Sequence, residues 1–388
     1  MILTNLLSPG AAAPLALRVG GRVITAVTHL PEIPVAAPRE SCIDLDGCLV
    51  FPGLINSHDH LEFNLFPALA NQVYRNYLEW GTDIHRLNHD AISDVLTIPR
   101  PLRIQWGLYK NLLSGVTTVH HHGRAPGTAT DLLHVHRKAN CLHSVGLEKH
   151  WKRKINQPGL HRWPWVLHIG EGTDAVAHQE IDQLIRWNFQ HKKIIGIHGV
   201  AVNRKQAAHF HALVWCPASN FFLLNSTADV QQWRKKTRIL FGTDATVSAS
   251  WNIWEHLRLA RGTGMLEDAE LFDSLTSAAA EAWNLPHAGK LIAGAQADLV
   301  IARPKHAAGQ WDAFYALDPE DIELVICSGE VRVISAALRA IWGETADHWK
   351  DFYPVRLNGS WRYVRGNLPA LMRKIATYHP SARFPVEG

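Results

Sequence analysis

His58 and His60 stand one residue apart in the stretch FPGLINSHDHLEF, residues 51–63. A strand repeats every two residues, so in extended backbone both imidazoles leave the same face, with Cα atoms about 6.6 Å apart. Two such rings at a strand's end can reach one ion. Alone, the pair reads equally as two polar residues at an ordinary strand mouth. Other candidates also follow apolar runs: WVL leads into His168 with Glu171 close behind, IIGI into His198, and ILFG toward Asp244. Taken singly, a histidine after a strand is commonly a hydrogen-bonded loop residue, and an aspartate in GTDAT a helix N-cap. Taken together, histidine or acid at the tips of several apolar strands points to one shared site.

The chemistry follows from the donor types. Three imidazoles and one carboxylate (His58, His60, His168 and Asp244) form a nitrogen-and-oxygen set that suits zinc and, less selectively, iron or manganese. One divalent transition metal per chain is therefore expected, zinc foremost, with a position left for water as a catalytic site requires. Such an ion brings the pKa of its water toward neutrality, so a metal-bound hydroxide is the expected nucleophile. Glu171 lies three residues beyond His168, which in a continuing strand would turn it to the opposite side. Gly170 and Gly172 loosen the backbone there and let both side chains converge. A carboxylate beside that water would shuttle its proton to the substrate; the other reading of Glu171 is a surface loop glutamate.

These residues need a scaffold that brings distant strand ends to one edge. Between residues 50 and 288, apolar runs of strand length alternate with segments of helical period. Strands are expected at 48–58, 115–123, 142–148, 165–172, 193–200, 213–219 and 238–246, with helices over 128–140, after 172, after 202 and after 250. This alternation implies a parallel sheet, and its length fits a (β/α)8 TIM-like barrel, which takes about 250 residues. Seven strands are clear; an eighth is expected between 148 and 165, in poor strand material. A doubly wound open sheet is the alternative. Residues 1–49 and 289–335 are rich in β-branched runs, including a Gly-Gly hairpin signal after residue 19, and are expected to pair into a small β-sandwich domain. Residues 336–388 form an extension without an assigned role.

Composition narrows the function classes. Hydrophobic residues make up 47% and charged residues 19% of 388, as in ordinary globular proteins, and no apolar run is long enough for a bilayer. The first basic residue, Arg18, follows the N-terminal apolar run, which argues against a secretory signal. Five scattered cysteines without a CxxC pair fit a reducing, cytoplasmic setting. The net charge of +4 has no basic block longer than HWKRK at 150–154, which reads as a solvated loop, so nucleic acid is not an expected partner. A small molecule is, and a homo-oligomer is open. Histidine is the unusual count, at 24.

PGLINSHDHL, HIGEG, IHGV, CPASNFFL, GTDATVSASWNIWEHLR and AGKLIAGAQADLVI, in that order, resemble the motifs of the amidohydrolase superfamily, in its cytosine deaminase and chlorohydrolase-like branch. The resemblance spans residues 15 to about 335. It implies the barrel, a mononuclear centre on His58, His60, His168 and Asp244, Glu171 as proton shuttle, and Asp244 as a base when the intermediate collapses. It also implies that His198 holds or polarises the substrate. His198, His122, Asn220 and Trp251 are the expected substrate contacts, with Phe63, Trp165, Phe221 and Trp254 as further aromatics that either stack on a flat ring or fill the core. No lysine suggests a carbamylated bridge, Lys149 being the nearest. The expected reaction is attack at an sp² carbon bearing nitrogen, with deamination of a heterocycle foremost. Hydrolysis of an acyclic amide, amidine or carbon–halogen bond is the alternative, and a non-catalytic ligand-binding homologue the reading from another class.

Overall fold

The structure, a computed structural model, describes residues 1–11, 13–37, 40–124, 131–160, 162–305, 310–342 and 349–388. Eight short strands carry the candidate site: β1 (Leu54–Asp59), β2 (Val116–His121), β3 (His134–His136), β4 (Asn140–Ser144), β5 (Trp165–Ile169), β6 (Ile194–His198), β7 (Ala212–Trp215) and β8 (Arg238–Phe241). They pair in chain order, all parallel, as a three-stranded sheet β1–β3 and a five-stranded sheet β4–β8. Every residue of β1, β2, β5, β6 and β7 is buried. Strands covered on both faces read as continuous apolar runs, which is why these were visible in the sequence.

The ladder is interrupted between β3 and β4 and between β8 and β1. At the second interruption the amides of Thr243 and Asp244 both donate to the His58 carbonyl, each at 3.1 Å. The last strand's exit is thereby held against the first strand's exit. Val166, Ile195, Ile197, Val214 and Leu240 pack with Ile55 and Trp283 into one apolar cluster. Val166 and His168 share a face of β5 by the two-residue repeat, so the cluster forms a floor below the imidazole.

Several expected boundaries are corrected. The missing strand is β3, inside the segment expected to be a helix over 128–140; residues 128–130 lie outside the described residues. The region 148–165, expected to supply that strand, instead contains the short helix Trp151–Ile155. The HWKRK run is part of that helix and buries Trp151, so it is not simply a solvated loop. β7 stops at Trp215 because Pro217 opens a helix, Pro217–Leu224, proline being suited to a first helical turn.

The remaining strands belong to both ends of the chain. Ile2–Leu7, Leu15–Gly20, Val23–His29 and Cys42–Pro52 join Leu299–Ala302, Ile322–Cys327 and Glu330–Ser335 in one nine-stranded mixed sheet. The two ends meet where Cys42–Pro52 runs antiparallel to Leu299–Ala302. The hairpin around Gly20-Gly21 forms, pairing Leu15–Gly20 with Val23–His29. By strand pairing, the expected small sandwich is a single sheet. It also takes two strands, Phe352–Leu357 and Ser360–Arg365, from the tail. Among the described residues no helix is long and apolar enough to cross a membrane.

Candidate metal centre

β1 delivers His58 and His60, whose rings lie 4.9 Å apart between centroids. Asp59 between them turns away into a buried network. It accepts hydrogen bonds from Lys110 Nζ at 3.1 Å, Asn111 Nδ2 at 2.8 Å and Asn64 Nδ2 at 2.7 Å. That network anchors the strand's far side to the helix Arg100–Leu113 and leaves the two imidazoles facing inward.

β5 brings His168 to the same point, its ring 5.0 Å from His58 and 5.3 Å from His60. His168 Nδ1 lies 2.8 Å from the His143 carbonyl, an acceptor only, so Nδ1 carries the proton and Nε2 presents its lone pair. His60 Nε2 faces that lone pair at 3.3 Å. From beyond β8, Asp244 places Oδ1 3.4 Å from His58 Nε2 and 3.8 Å from His60 Nε2. Its other oxygen accepts from the hydroxyls of Ser219 and Ser248, both at 2.7 Å.

This geometry fits a metal ion. Donors around a tetrahedral zinc with bonds of about 2.0–2.2 Å stand about 3.3–3.6 Å apart, and two of the three separations above fall in that range. The donor atoms of His58, His60 and His168 lie within 4.8 Å of one another, as do those of His58, His198 and Asp244. Both nitrogens of the fully buried His58 lack a hydrogen-bond partner, which is costly unless another group satisfies them. Burial, reinforced by neighbouring imidazoles, lowers His60 and His168 well below the usual histidine range and so keeps them in the neutral, ligating form. Burial opposes the charge on Asp244, yet the close approach of His58 and the nearby imidazoles hold its carboxyl well below the usual carboxylate range.

Glu171 lies beside this set. Gly170 takes φ +60°, a left-handed conformation that glycine adopts without strain, and the turn swings Glu171 back toward the centre. Its Oε1 lies 3.6 Å from His198 Nε2. Burial, then Asp244 and Glu180, raise the Glu171 carboxyl well above its ordinary range. Burial also pushes His198 down to about 3. Asn220 Nδ2 sits 2.9 Å from His198 Nδ1; as a donor it makes Nδ1 an acceptor and leaves Nε2–H pointing at the site. His198 (φ +70°) and Asp244 (φ +57°) both hold left-handed backbone, a conformation that concentrates at functional sites.

The remaining expected contacts are divided. His122 is buried with its ring 4.5 Å from His168, at the edge of the centre. Asn220 is fully buried against His198 rather than open to a ligand. Trp251 packs against the main core and does not line the cavity; Trp254 is fully buried between Phe51 and Phe314. Of the aromatics singled out in the sequence, Phe63 alone lines the cavity above the centre, whose volume is about 460 Å³. His143, Phe66, Tyr77 and Trp80 line it too and were missed. Tyr77 and Trp80 sit on an amphipathic helix, Tyr77–Leu87, and no local signal tells a face turned to a cavity from one turned to the core. A wider surface groove of about 740 Å³, lined in part by Arg75, Glu79 and Arg86, contains none of the centre's residues.

Residues 167–332 match the amidohydrolase family. A 5'-deoxyadenosine deaminase from Methanococcus vannielii is 31% identical over 64 residues; the match spans 16% of this chain and 15% of the length of that curated relative. A zinc-bound adenosine deaminase from Xanthomonas campestris has a similar fold, with a TM-score of 0.72 at 15% identity over 98% of both chains. So does an atrazine chlorohydrolase from Arthrobacter aurescens complexed with zinc, with a TM-score of 0.68 at 16% identity, covering 98% of this chain and 100% of that one. The chain is thus similar to the amidohydrolase family over residues 167–332 and shares the fold of these two structures over 98% of its length.

Proposed function

We propose that the protein is a metal-dependent hydrolase acting at an sp² carbon that bears nitrogen, with deamination of a heterocyclic small molecule as its reaction. The observation that carries this reading is Glu171, turned inward at Gly170 to 3.6 Å from His198, beside the converging donors of His58, His60, His168 and Asp244. We read the eight strands as a (β/α)8 barrel with seams at β3/β4 and β8/β1, so that the strand ends converge as such barrels require.

His58, His60, His168 and Asp244 would hold one divalent transition metal. When bound, the ion supplies Lewis acidity and makes water acidic near neutral pH. Glu171, as a carboxylate, can take the proton of the attacking water and, once protonated, pass it to a ring nitrogen or leaving amine. His198 Nε2–H donates toward the oxygen or ring of the substrate, and Asn220 keeps it in that tautomer. Asp244 Oδ1, held ionised, accepts a proton as the C–N bond breaks. A carbon–halogen bond is open to the same groups, and the relatives named above, two deaminases and a chlorohydrolase, support both leaving groups.

Glu171→Gln tests the reading in a screen for ammonia release over aminated heterocycles. The expected outcome is unchanged metal content with turnover reduced by about 10²–10⁴-fold. Undiminished turnover in that variant would remove Glu171 from the chemistry.

A further inference from the structure

From the cavity above the centre we infer that the substrate is an uncharged molecule with a bulky apolar substituent on its reacting ring, and not a nucleoside or an anion; this rests on the hydrolase reading above. Setting aside the residues assigned to the centre, the walls are almost wholly hydrocarbon. Phe66, Leu69, Ile84 and Val247 form the inner wall, and Trp80 and Ile92 continue it outward. Phe63, Leu96 and Leu147 carry the apolar lining to the rim, where they remain 36%, 51% and 53% exposed. Large apolar side chains left open at a cavity mouth mark a binding surface more often than chance exposure.

The polar groups of the wall are few, and most are already engaged. Among the described residues no lysine or arginine lines the cavity to pair with a phosphate or carboxylate. Among the described residues the carboxyls in the wall are Glu171 and Asp244, both belonging to the centre. Tyr77 Oη lies 3.1 Å from Ser144 Oγ and 3.0 Å from Glu180 Oε2, and it accepts the Gly146 amide at 3.1 Å. Its hydrogen-bonding capacity is spent before a ligand arrives. His143 is kept neutral by burial, its carbonyl is taken by His168 and its Nδ1 lies 3.3 Å from Ser144 Oγ. Among the described residues, His85, on the exposed side of its helix, and His143 Nε2 are the polar side-chain groups left. A ribose brings several hydroxyls that would lose water and find few partners here, His85 and His143 Nε2, whereas an alkyl or aryl group would be buried at about 25 cal/mol per Å² of apolar surface. The volume, about 460 Å³, accommodates a ring with such a group attached.

The test uses the metal-loaded full-length protein and two matched sets of probes. One set is adenine bearing butyl, ribosyl or carboxyethyl at N9; the other is an amino- or chloro-s-triazine bearing isopropyl, hydroxyethyl or carboxyethyl on its side-chain nitrogen. Ammonia and chloride release are followed in each. In any set that is turned over in a Glu171-dependent way, the alkyl member is expected to lead in kcat/KM by about 10-fold or more. Leu147→Asp, at an exposed rim position that tolerates charge, is expected to reduce that lead. A ribosyl, hydroxyethyl or carboxyethyl member in the lead overturns the inference while leaving the hydrolase reading intact. If no probe is turned over, calorimetric binding to metal-loaded Glu171→Gln decides separately. Tighter binding of the alkyl members supports the apolar class even though the reaction reading has failed, and equal, weaker or absent binding overturns the class.

Discussion

Two imidazoles of the centre have one nitrogen committed to the protein and the other turned toward the reaction space. His168 spends Nδ1 on the His143 carbonyl, and His198 spends Nδ1 on Asn220, yet the two commitments have opposite consequences. A carbonyl accepts, so His168 is left with a lone pair inward; an amide nitrogen donates, so His198 is left with a proton inward. One ring is thereby suited to bind a cation and the other to donate to a substrate. Asn220→Ala is expected to remove that distinction, because His198 can then place its proton on either nitrogen. The expected outcome is a kcat lowered by about 10-fold or more with metal content unchanged, and an Asn220→Asp variant that does not restore it, measured by steady-state kinetics with metal analysis. The ligand candidates were legible in the sequence because a strand tip is a place that periodicity locates well. Their partners were not: the His143 carbonyl and the Ser219 hydroxyl reach the centre from other segments, and nothing near them in sequence says so.

At the scale of elements, β1 is set in place from behind by the buried pair Asp59–Lys110, whose side chains are 0% and 2% exposed. Its neighbours Asn56, Asn111 and Thr243 complete the hydrogen bonding and reach the end of β8. Removing one partner of a buried pair leaves the other charge uncompensated. Lys110→Met is therefore expected to cost about 3–5 kcal/mol in denaturant unfolding, and the double replacement with Asp59→Leu to recover part of it. A Lys110→Met protein as stable as the parent would mean that the pair does not anchor the strand. The sequence placed most of these strands because they are apolar on both faces. It misplaced β3, a three-residue strand in TATDLLHVHRKAN whose apolar spacing reads as helical. A strand that short has too few residues for a two-residue period to register, and its pairing to β2 is a tertiary fact. The helices Tyr77–Leu87 and His89–Leu96, which contribute to the cavity lining, carried no expectation in the sequence, since amphipathic spacing alone does not name what lies under the apolar face.

For the whole molecule, gathering the donors beneath an apolar cavity has a cost in stability that depends on pH. Glu180 accepts the Gly170 amide at 2.6 Å and holds the turn before Glu171, and burial raises its carboxyl to about 7. A carboxyl whose folded pKa lies above its unfolded value favours the fold when protonated. Stability from this group is thus complete below about pH 4.5 and declines as pH rises toward 7, beyond which the cost is constant. Glu180→Gln imitates the protonated form. It is expected to be near neutral at pH 4.5 and stabilising above pH 7 by about 3 kcal/mol at most, read from paired denaturant titrations. A variant destabilised at both pH values would show the carboxylate to be needed at the turn. The nine-stranded sheet, drawing strands from residues 2–52 and 299–365, was only partly visible in the sequence, because the tail strands pair with partners already accounted for.

Metal content is the most direct test of the account. The protein, exposed to zinc and dialysed, is expected to retain about one divalent transition ion per chain. His58→Ala and Asp244→Ala, folded by circular dichroism, are each expected to lose it. A folded parent that binds no ion under those conditions, or either variant binding as the parent does, would contradict the proposal that these strand ends form a catalytic metal centre.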